Sequence, residues 1–567
     1  MKNSFTMKIN NETIIKNAYR KIIDGISYDI SFCGELYNKN ALRNIVITKG
    51  YITDNTKDED ILVILFHEFK EKMLNFINGV FSIVILDNST SSLFACVDRL
   101  GVKPLYYTKL NNGYIISSTI KDILDTKLVD PVMSKEEIIE MFAFGPAHIP
   151  SKTCFKGIFS FEPGTFITAD NSCFKCQKYW SLKSKELKDD EEEIIYNTKY
   201  LVQDALDKQY ETGDACMLSG WLDSTIVTTL ASKKDRNIIT YSIDYVGNDT
   251  DFKGSSYQAT KDSDFIKIVQ DKLKTNNIKI LVDSNDLFSA LKDSTIAREA
   301  PGMADVDSSM LVFAKEISKN SKNVLSGECS DEIFGGYPWY YKDNLKNTLG
   351  FPWALSENLR QNLISTALVN DGNEIEKLVS SVKDNSLKEV EHTSTDAFEN
   401  EFRDLNYLTI KHFMPTLIER GERLGKMADL NIKMPYADYR IFDYVYNVSG
   451  KLRLGNTTPV SEKYILKEAF KDILPKEIVD RKKSPFPKTY NSKYLEYVEK
   501  EIINILNDEN SRILEIINKE FVVNLVKNHG ESIKENLFGQ LMTYPQTLAY
   551  LIQIEYFLKY FNVEIKK

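Results

Sequence analysis

The chain has 567 residues, too many for one hydrophobic core, and this length predicts two or three domains. Its composition, 43% hydrophobic and 27% charged, is that of an ordinary globular protein. The 81 acidic residues outnumber the 72 basic ones, which argues against a nucleic-acid partner. The polar N-terminal segment lacks a signal-peptide pattern and no apolar run could span a membrane, so we expect a cytoplasmic protein.

Residues 25–180 are rich in short alternating apolar stretches separated by turn residues, a pattern typical of β-hairpins, with a helix predicted over 59–77. A highly charged run over 181–193 follows and predicts a linker or a solvated helix start. We therefore expect one domain over 1–182 and a second one that begins at 194.

Strands and helices alternate after residue 194, which indicates a parallel sheet with helices on both faces. The chain is mostly helical beyond about 345. Ligands of such sheets bind beyond the carboxyl ends of the strands. The predicted elements are helix 194–209, strand 215–218, helix 224–233, strand 238–244, a helix near 262–275, strand 278–283, helix 306–319 and strand 323–327.

The seven cysteines are scattered, and only "CFKC" at 173–176 has the spacing of a metal or redox site. A lone CxxC without a second pair is weak support for zinc. We interpret the cysteines as reduced thiols. With five histidines in the chain, we expect no histidine-based metal site.

The loop "MLSGWLDST" at 217–225 joins an apolar strand to a helix, as in anion-binding loops. Ser219, Gly220 and Ser224 offer backbone and hydroxyl donors at the start of the helix. Asp223 would repel a bare phosphate, but it suits a Mg²⁺ ion that bridges carboxylate and phosphate oxygens. The alternative is a plain strand-to-helix turn with an aspartate near the N-cap.

The second loop, "LSGECSDEIFGGYPWYY" at 325–341, crowds Glu328, Asp331 and Glu332 together after a buried strand. Clustered carboxylates are costly unless a cation or a titrating role compensates. Asp223 and Asp331, from neighbouring strand ends, are the predicted magnesium ligands on a triphosphate.

Several motifs then resemble the asparagine synthetase family, in its longer bacterial branch. "SGWLDS" is similar to the family's pyrophosphate loop S-G-G-x-D-S, and the second loop matches its second active-site loop. Further matches are "PGMADVDSS" at 301–309, "EKYILKEAF" at 462–470, "RKKSPFPKT" at 481–489 and "FGQLMTYPQTLAYLIQ" at 538–553. Upstream, "CGELYNKNALR" at 33–43, "NGVFSIVILD" at 78–87 and "VDRLGVKPLYY" at 97–107 resemble its glutaminase half.

The resemblance implies an α/β fold. An N-terminal-nucleophile-type β-sandwich of α+β class would precede a doubly wound ATP-pyrophosphatase domain over 194–500, with a helical extension over 501–567 packed on it. It also implies adenylation of a carboxylate with release of pyrophosphate, followed by attack of ammonia or an amine to give an amide and AMP.

The resemblance also assigns roles to residues. Glu328 would orient or deprotonate the amine, and Lys463 would stabilise charge as pyrophosphate leaves. Asp223 and Asp331 would bind Mg²⁺. The ATP and pyrophosphate site would comprise Leu218, Ser219, Gly220, Trp221, Leu222, Asp223, Ser224, Ser242, Ile243, Ser326 and Gly327.

The glutaminase half departs from the family. In the family the N-terminal cysteine is the nucleophile, whereas this chain begins Met1–Lys2. The family's H-R-G-P-D strands also have no counterpart before residue 30. We therefore expect a truncated domain without glutaminase activity and with a vestigial glutamine site. That site comprises Cys33 in place of the oxyanion-hole asparagine, Gly34, Glu35 and Asp58.

The synthetase half departs as well. Trp221 replaces the second glycine of the pyrophosphate loop, and its indole either points away from the phosphates or occupies their volume. Asn431 and Lys433 replace an acid and an arginine, and we expect both near the acceptor pocket.

Three functions stay open: an amide ligase acting on aspartate, a specialised ligase that forms natural-product amides or lactams, and a binding or regulatory partner without activity. The expected cofactors are ATP and Mg²⁺. The expected partners are a small carboxylate with ammonia or an amine, and a second chain in a homodimer or in a heteromer with an active synthetase. No nucleic-acid or membrane partner is expected.

Overall fold

A computed structural model describes residues 5–9, 12–51, 57–170, 173–248, 261–342, 350–369, 372–457, 459–481, 489, 491–531, 533, 536–539 and 541–566. The strands are β1 (Phe5–Ile9), β2 (Glu12–Lys16), β3 (Tyr19–Ile23), β4 (Ile26–Leu36), β5 (Gly79–Asp87), β6 (Ser92–Val97), β7 (Tyr106–Leu110), β8 (Gly113–Ser117), β9 (Val132–Ser134), β10 (Phe159–Ser160), β11 (Thr165–Ala169), β12 (Phe174–Lys178), β13 (Ala215–Met217), β14 (Ile239–Tyr245), β15 (Asn276–Val282), β16 (Asn323–Leu325), β17 (Asn431–Lys433) and β18 (Glu564–Lys566).

The helices are α1 (Lys39–Thr48), α2 (Asp58–Phe69), α3 (Ile120–Leu124), α4 (Lys135–Phe144), α5 (Glu191–Gln209), α6 (Leu222–Lys234), α7 (Asp262–Leu273), α8 (Ser284–Arg298), α9 (Asp305–Ile317), α10 (Ser330–Phe334), α11 (Glu357–Leu363), α12 (Glu374–Leu387), α13 (Ala397–Leu408), α14 (Met414–Met427), α15 (Tyr439–Val445), α16 (Gly450–Arg453), α17 (Tyr464–Phe470), α18 (Lys476–Val479), α19 (Ser492–Asn507), α20 (Lys519–Lys527) and α21 (Tyr544–Tyr560). In the described ranges, no helix combines the length and apolar character that a membrane span requires.

The chain divides into two compact units: Met1–Pro131 with Pro150–Leu182, and Val132–Ile149 with Lys183–Lys567. The first unit contains two sheets, ordered β10-β7-β8-β1-β2 and β12-β11-β6-β5-β4-β3, whose described pairings are antiparallel. Alternate side chains of β5 face opposite sides of its sheet. Val84 packs with residues of the other sheet, whereas Ile83 and Ile85 pack with α1 and α2. The predicted β-sandwich is confirmed.

The second unit is built on a parallel sheet ordered β15-β14-β13-β16-β17. Strand β13 is central: β14 and then β15 lie on one side of it, and β16 and then β17 lie on the other. The switch point therefore lies between β13 and β16, where a doubly wound sheet binds its ligands. This confirms the predicted fold class.

Several elements were missing from the sequence prediction. Strands β1, β2 and β3 precede residue 25, helix α8 lies between β15 and α9, and β17 extends the sheet from within the region predicted as helical. The short β17 has only three residues and no alternating pattern, so its strand state comes from pairing with β16 rather than from local sequence.

Candidate functional site

A cavity of about 200 Å³ opens at the carboxyl ends of β13 and β16 in the second unit. Most of the predicted nucleotide-site residues line it. They are Leu218, Ser219, Trp221, Asp223, Ser224, Ile243, Ser326 and Gly327, joined by Glu328, Asp331 and Glu332. Gly220, Leu222 and Ser242 are not among the described lining residues. The Ser242 hydroxyl instead accepts a hydrogen bond from Asn277 Nδ2 at 2.9 Å.

The first loop is held in shape by its serines. Ser224 Oγ accepts from the Ser219 backbone N–H at 3.2 Å and lies 2.9 Å from Ser219 Oγ. Gly220 has φ +71°, a conformation that favours glycine, and α6 begins two residues later. The two cavity loops approach closely because residue 327 is glycine: a Cβ there would lie 2.8 Å from the Ser224 nitrogen.

Trp221 carries no backbone strain, because its φ of −93° is ordinary for an N-cap residue. Its indole packs on the Arg481 guanidinium, whose Cζ lies 3.3 Å from the ring centroid, and Phe265 covers the guanidinium at 3.8 Å. Arg481 also donates to the Gly220 carbonyl at 2.9 Å and to Asp262 at 2.5 Å. The indole is therefore part of the cavity wall and is stacked on a cation at the same time.

Lys463 connects the two predicted metal ligands. Its Nζ lies 2.5 Å from Asp223 Oδ2 and 2.6 Å from Asp331 Oδ1, and Ser330 Oγ donates to Asp223 Oδ1 at 2.6 Å. Burial lowers the pKa of Lys463, but the two carboxylates outweigh it and the net pKa is raised. Lys463 has φ +56° immediately before α17, and this backbone turn helps direct its side chain to the carboxylates.

The two aspartates converge on one cationic group, so their arrangement fits a divalent ion placed between them and a phosphate. In the described part of the chain, no cluster of three or more histidine, cysteine or acidic side chains has metal-binding geometry. A magnesium ion here would therefore take its remaining ligands from phosphate oxygens and water, as Mg²⁺ commonly does.

Glu328 forms a partly buried ion pair that the sequence analysis missed. Arg420 Nη2 donates to Glu328 Oε1 at 2.8 Å, and the neighbouring acids raise the pKa of Arg420 although burial opposes them. Glu332 lies in a different environment: burial, with Asp331 nearby, raises its pKa to about 7, and Tyr337 donates to it at 2.6 Å. Glu328 is thus paired with a guanidinium, whereas Glu332 is hydrogen-bonded to a phenol.

The expectation that Asn431 and Lys433 lie near the acceptor pocket is wrong. Lys433 Nζ binds Asp214 at 3.0 Å and the Gln209 carbonyl at 2.9 Å, and Asn431 donates to Asn323. Neither lines the cavity in the described structure. The guanidinium at the cavity wall belongs to Arg420. It lies in the run "ERGERLGK", whose alternating charges indicate a solvated helix, although Arg420 is buried.

The four predicted residues of the glutamine site lie in the first unit. Cys33, Gly34 and Glu35 lie within β4 and are paired with Ser82, Phe81 and Val80 of β5. Asp58, at the start of α2, forms an ion pair with Lys39 at 2.5 Å. The CxxC thiols, Cys173 and Cys176, are exposed and not in a disulfide.

Comparison with known proteins agrees with this architecture. The asparagine synthase family matches residues 198–558, and the glutamine amidotransferase domain family matches residues 23–180. The chain is 33% identical to asparagine synthetase [glutamine-hydrolyzing] 3 of Bacillus subtilis, over 95% of this chain and 88% of that protein. It is 23% identical to the same organism's asparagine synthetase [glutamine-hydrolyzing] 1 over 90% and 83% of the two chains, and 24% identical to the amidase chry2 of Gibberella zeae over 80% and 76%.

The parallel sheet, the serine-lined loop at a helix start and the carboxylate-lysine cluster define the site as that of an α/β ATP-dependent ligase domain. The chain belongs to the asparagine synthase family.

Proposed function

We propose that this protein is an ATP-dependent amide ligase that adenylates a carboxylate and transfers the acyl group to ammonia or an amine, without using glutamine. The observation that carries the proposal is the convergence of Asp223 and Asp331 on Lys463 beside the loop that opens α6. A site that gathers two carboxylates and a lysine at a helix N-terminus suits a polyphosphate with its metal ion.

Each step has residues suited to it. A carboxylate oxygen attacks the α-phosphorus and pyrophosphate leaves toward Ser219, Ser224 and the α6 N-terminus, while Lys463 stabilises its charge. Asp223 and Asp331 would hold Mg²⁺, which would neutralise charge on the phosphates. The amine then attacks the acyl carbon, AMP departs, and the nitrogen gives up a proton.

Glu328 is the residue assigned to the amine. It lies at the cavity wall directly after Gly327, and Arg420 fixes its carboxylate by a hydrogen bond. A fixed carboxylate can hold an ammonium or amine N–H in the direction of attack. We assign this chemistry to residues 194–500, with 501–567 as a helical extension. In that extension Gln553, on α21, accepts a hydrogen bond from the Ala304 backbone.

The proposal that glutamine is not used rests on Cys33. A glutaminase of this type needs a cysteine with a free α-amine as its base. Cys33 is an internal residue of β4, opposite Ser82 in the sheet ladder, so its nitrogen belongs to a peptide bond. The test is amide formation with ¹⁵N-ammonium against amide-¹⁵N-glutamine, measured by mass spectrometry. Label transfer from glutamine would refute this part.

The ligase proposal is tested by calorimetric titration of MgATP into the native chain and into Trp221→Gly, followed by a screen of carboxylates for pyrophosphate release. We expect both proteins to bind MgATP, since the indole of the native chain packs on Arg481. Binding by Trp221→Gly alone would mean that the tryptophan closes the site, and the protein would then be a binding or regulatory partner.

A further inference from the structure

A buried arginine holds the loop before α6 from the side away from the cavity. Arg481 is not among the described residues that line the cavity, and its Nη1 donates to the Gly220 carbonyl at 2.9 Å. Gly220 itself lies against α7, because a Cβ at this position would be 2.8 Å from the Ile266 nitrogen. The Gly220 carbonyl is therefore bound behind the loop.

This hydrogen bond orients the peptide that joins Gly220 to Trp221. The C=O and N–H groups of a trans peptide point in opposite directions. With the Gly220 carbonyl turned to Arg481, the Trp221 N–H is directed to the opposite side, where Trp221 lines the cavity. Among the described residues this N–H has no backbone acceptor, as is usual at a helix start. It is therefore available to a ligand.

The guanidinium that makes this bond is clamped between two rings. Its Cζ lies 3.3 Å from the Trp221 ring centroid and 3.8 Å from that of Phe265, on α7. Contacts of a guanidinium with aromatic faces are strongest where water is excluded, as it is around this buried side chain. Arg481 is thus fixed in place before any ligand enters.

Asp262, the first residue of α7, brings a negative charge to the same wall. Its carboxylate lines the cavity and accepts from Arg481 Nη2 at 2.5 Å. An unpaired acid beside the loop would repel a phosphate, and the guanidinium neutralises it. Arg481 therefore favours an anion at the loop in two ways, by the direction of an N–H group and by charge.

We propose that Arg481, clamped by Trp221 and Phe265, is a positioning residue that presents the Trp221 N–H to the pyrophosphate part of the nucleotide. This deepens the proposed function and rests on it for the identity of the ligand. The indole that replaces the second glycine of the loop is then the group that fixes the arginine.

The experiment is calorimetric titration of magnesium pyrophosphate and, separately, of AMP into the full native chain and its variants. Arg481→Met should weaken pyrophosphate binding by about tenfold or more, because a hydrogen bond to a charged group is lost. AMP lacks the β- and γ-phosphates, so its affinity should be unchanged. Trp221→Leu should weaken pyrophosphate by about fivefold, whereas Trp221→Phe, which keeps a ring for the guanidinium, should bind it almost as the native chain does.

The double variant Arg481→Met/Asp262→Asn separates orientation from charge. It leaves no unpaired acid at the wall, but the Gly220 carbonyl still lacks its donor, so pyrophosphate should bind about fivefold more weakly than in the native chain. Arg403→Met is the matched control: this guanidinium also faces a ring, 5.4 Å from the Tyr446 centroid, and Arg403 is outside the described cavity lining. Both affinities should stay unchanged in it.

Equal loss of pyrophosphate and AMP binding in Arg481→Met would overturn the inference, because the arginine would then support the whole site rather than the loop. Native pyrophosphate affinity in the double variant would also overturn it, since Arg481 would then act only by neutralising Asp262. So would a native chain that binds no pyrophosphate. If pyrophosphate binding responds as expected but no carboxylate supports pyrophosphate release, the inference stands and the ligase proposal fails.

Discussion

Each unit contains a buried aspartate, and the two aspartates are satisfied in different ways. In the first unit, Asp98 accepts hydrogen bonds from four backbone N–H groups, those of Phe81, Leu100, Val102 and Lys103, at 3.0–3.1 Å. In the second unit, the Asp223 carboxylate accepts its two hydrogen bonds from side chains, those of Ser330 and Lys463. Both aspartates are largely buried, at 2% and 7% exposure.

The difference distinguishes a carboxylate held by the backbone from one whose side-chain partners can be exchanged. Backbone donors are fixed by the fold, so Asp98 cannot exchange them without unfolding the turn at 98–103. Side-chain partners at a cavity wall can be exchanged for a ligand when one enters. The partners of a buried carboxylate are therefore more informative about function than its burial.

The largest effect should follow Lys463→Met. We expect pyrophosphate release to fall by about 10³-fold, because the charge that develops on the leaving group loses its preorganised cation. The measurement is steady-state pyrophosphate release at saturating MgATP and acid. A fall of less than tenfold would remove Lys463 from the chemistry.

A double-mutant cycle separates catalysis from folding. Lys463→Met leaves two carboxylates without their cation, which costs about 3–5 kcal/mol of stability for a buried pair. The double variant Lys463→Met/Asp223→Asn should recover part of the stability but none of the activity. Lys451→Met, which removes an exposed partner of Asp396, is the matched control and should change neither.

Sequence reasoning located the loops but not all of their contacts. Strand-loop-helix patterns fixed Ser219, Asp223 and Asp331 at neighbouring strand ends, because parallel strands end at one edge of a sheet. The Arg420–Glu328 pair joins residues 92 positions apart, and no local pattern reports such a contact. Lys433 was misplaced for the same reason, since its partner Asp214 lies 219 residues away.

The second prediction concerns Asp98→Asn. An amide has one acceptor oxygen in place of two and turns an NH₂ group toward backbone donors, so stability should fall by about 3 kcal/mol. Hydrogen exchange of β5 and β6 peptides should show the loss. Pyrophosphate release should be unchanged, because Asp98 lies outside the cavity wall. Loss of activity with a fully protected β5 would contradict the structural role.

The third prediction is a pH effect at His412, which is buried and bonded to Ser386. Burial, with Lys411 nearby, lowers its pKa to about 3. In the unfolded chain the pKa of a histidine is about 6.5. Below that pH the unfolded state gains a proton that the folded state does not, so the free energy of unfolding decreases as the pH falls from about 6.5 toward 3. We expect a loss of about 2 kcal/mol at pH 5, measured by urea unfolding at pH 7.5 and 5.0.

The comparison for His412 is His412→Gln, which keeps a polar group for Ser386 but does not titrate. Its stability should change less between the two pH values. His392→Gln, on an exposed histidine that pairs with Asp404, should retain the native pH dependence. An identical slope in the native chain and in His412→Gln would show that the imidazole is not kept neutral by burial.

The smallest effect should follow Asp58→Asn, at the position that resembles a glutamine-binding aspartate. Its contact with Lys39 is a partly exposed ion pair, with side-chain exposures of 25% and 37%, and such pairs contribute about 0.5 kcal/mol or less after solvent screening. We expect unchanged pyrophosphate release and no effect of glutamine on either protein. A weakened response to glutamine in Asp58→Asn would instead show that Asp58 still recognises it. The proposal that this protein does not use glutamine would then fail.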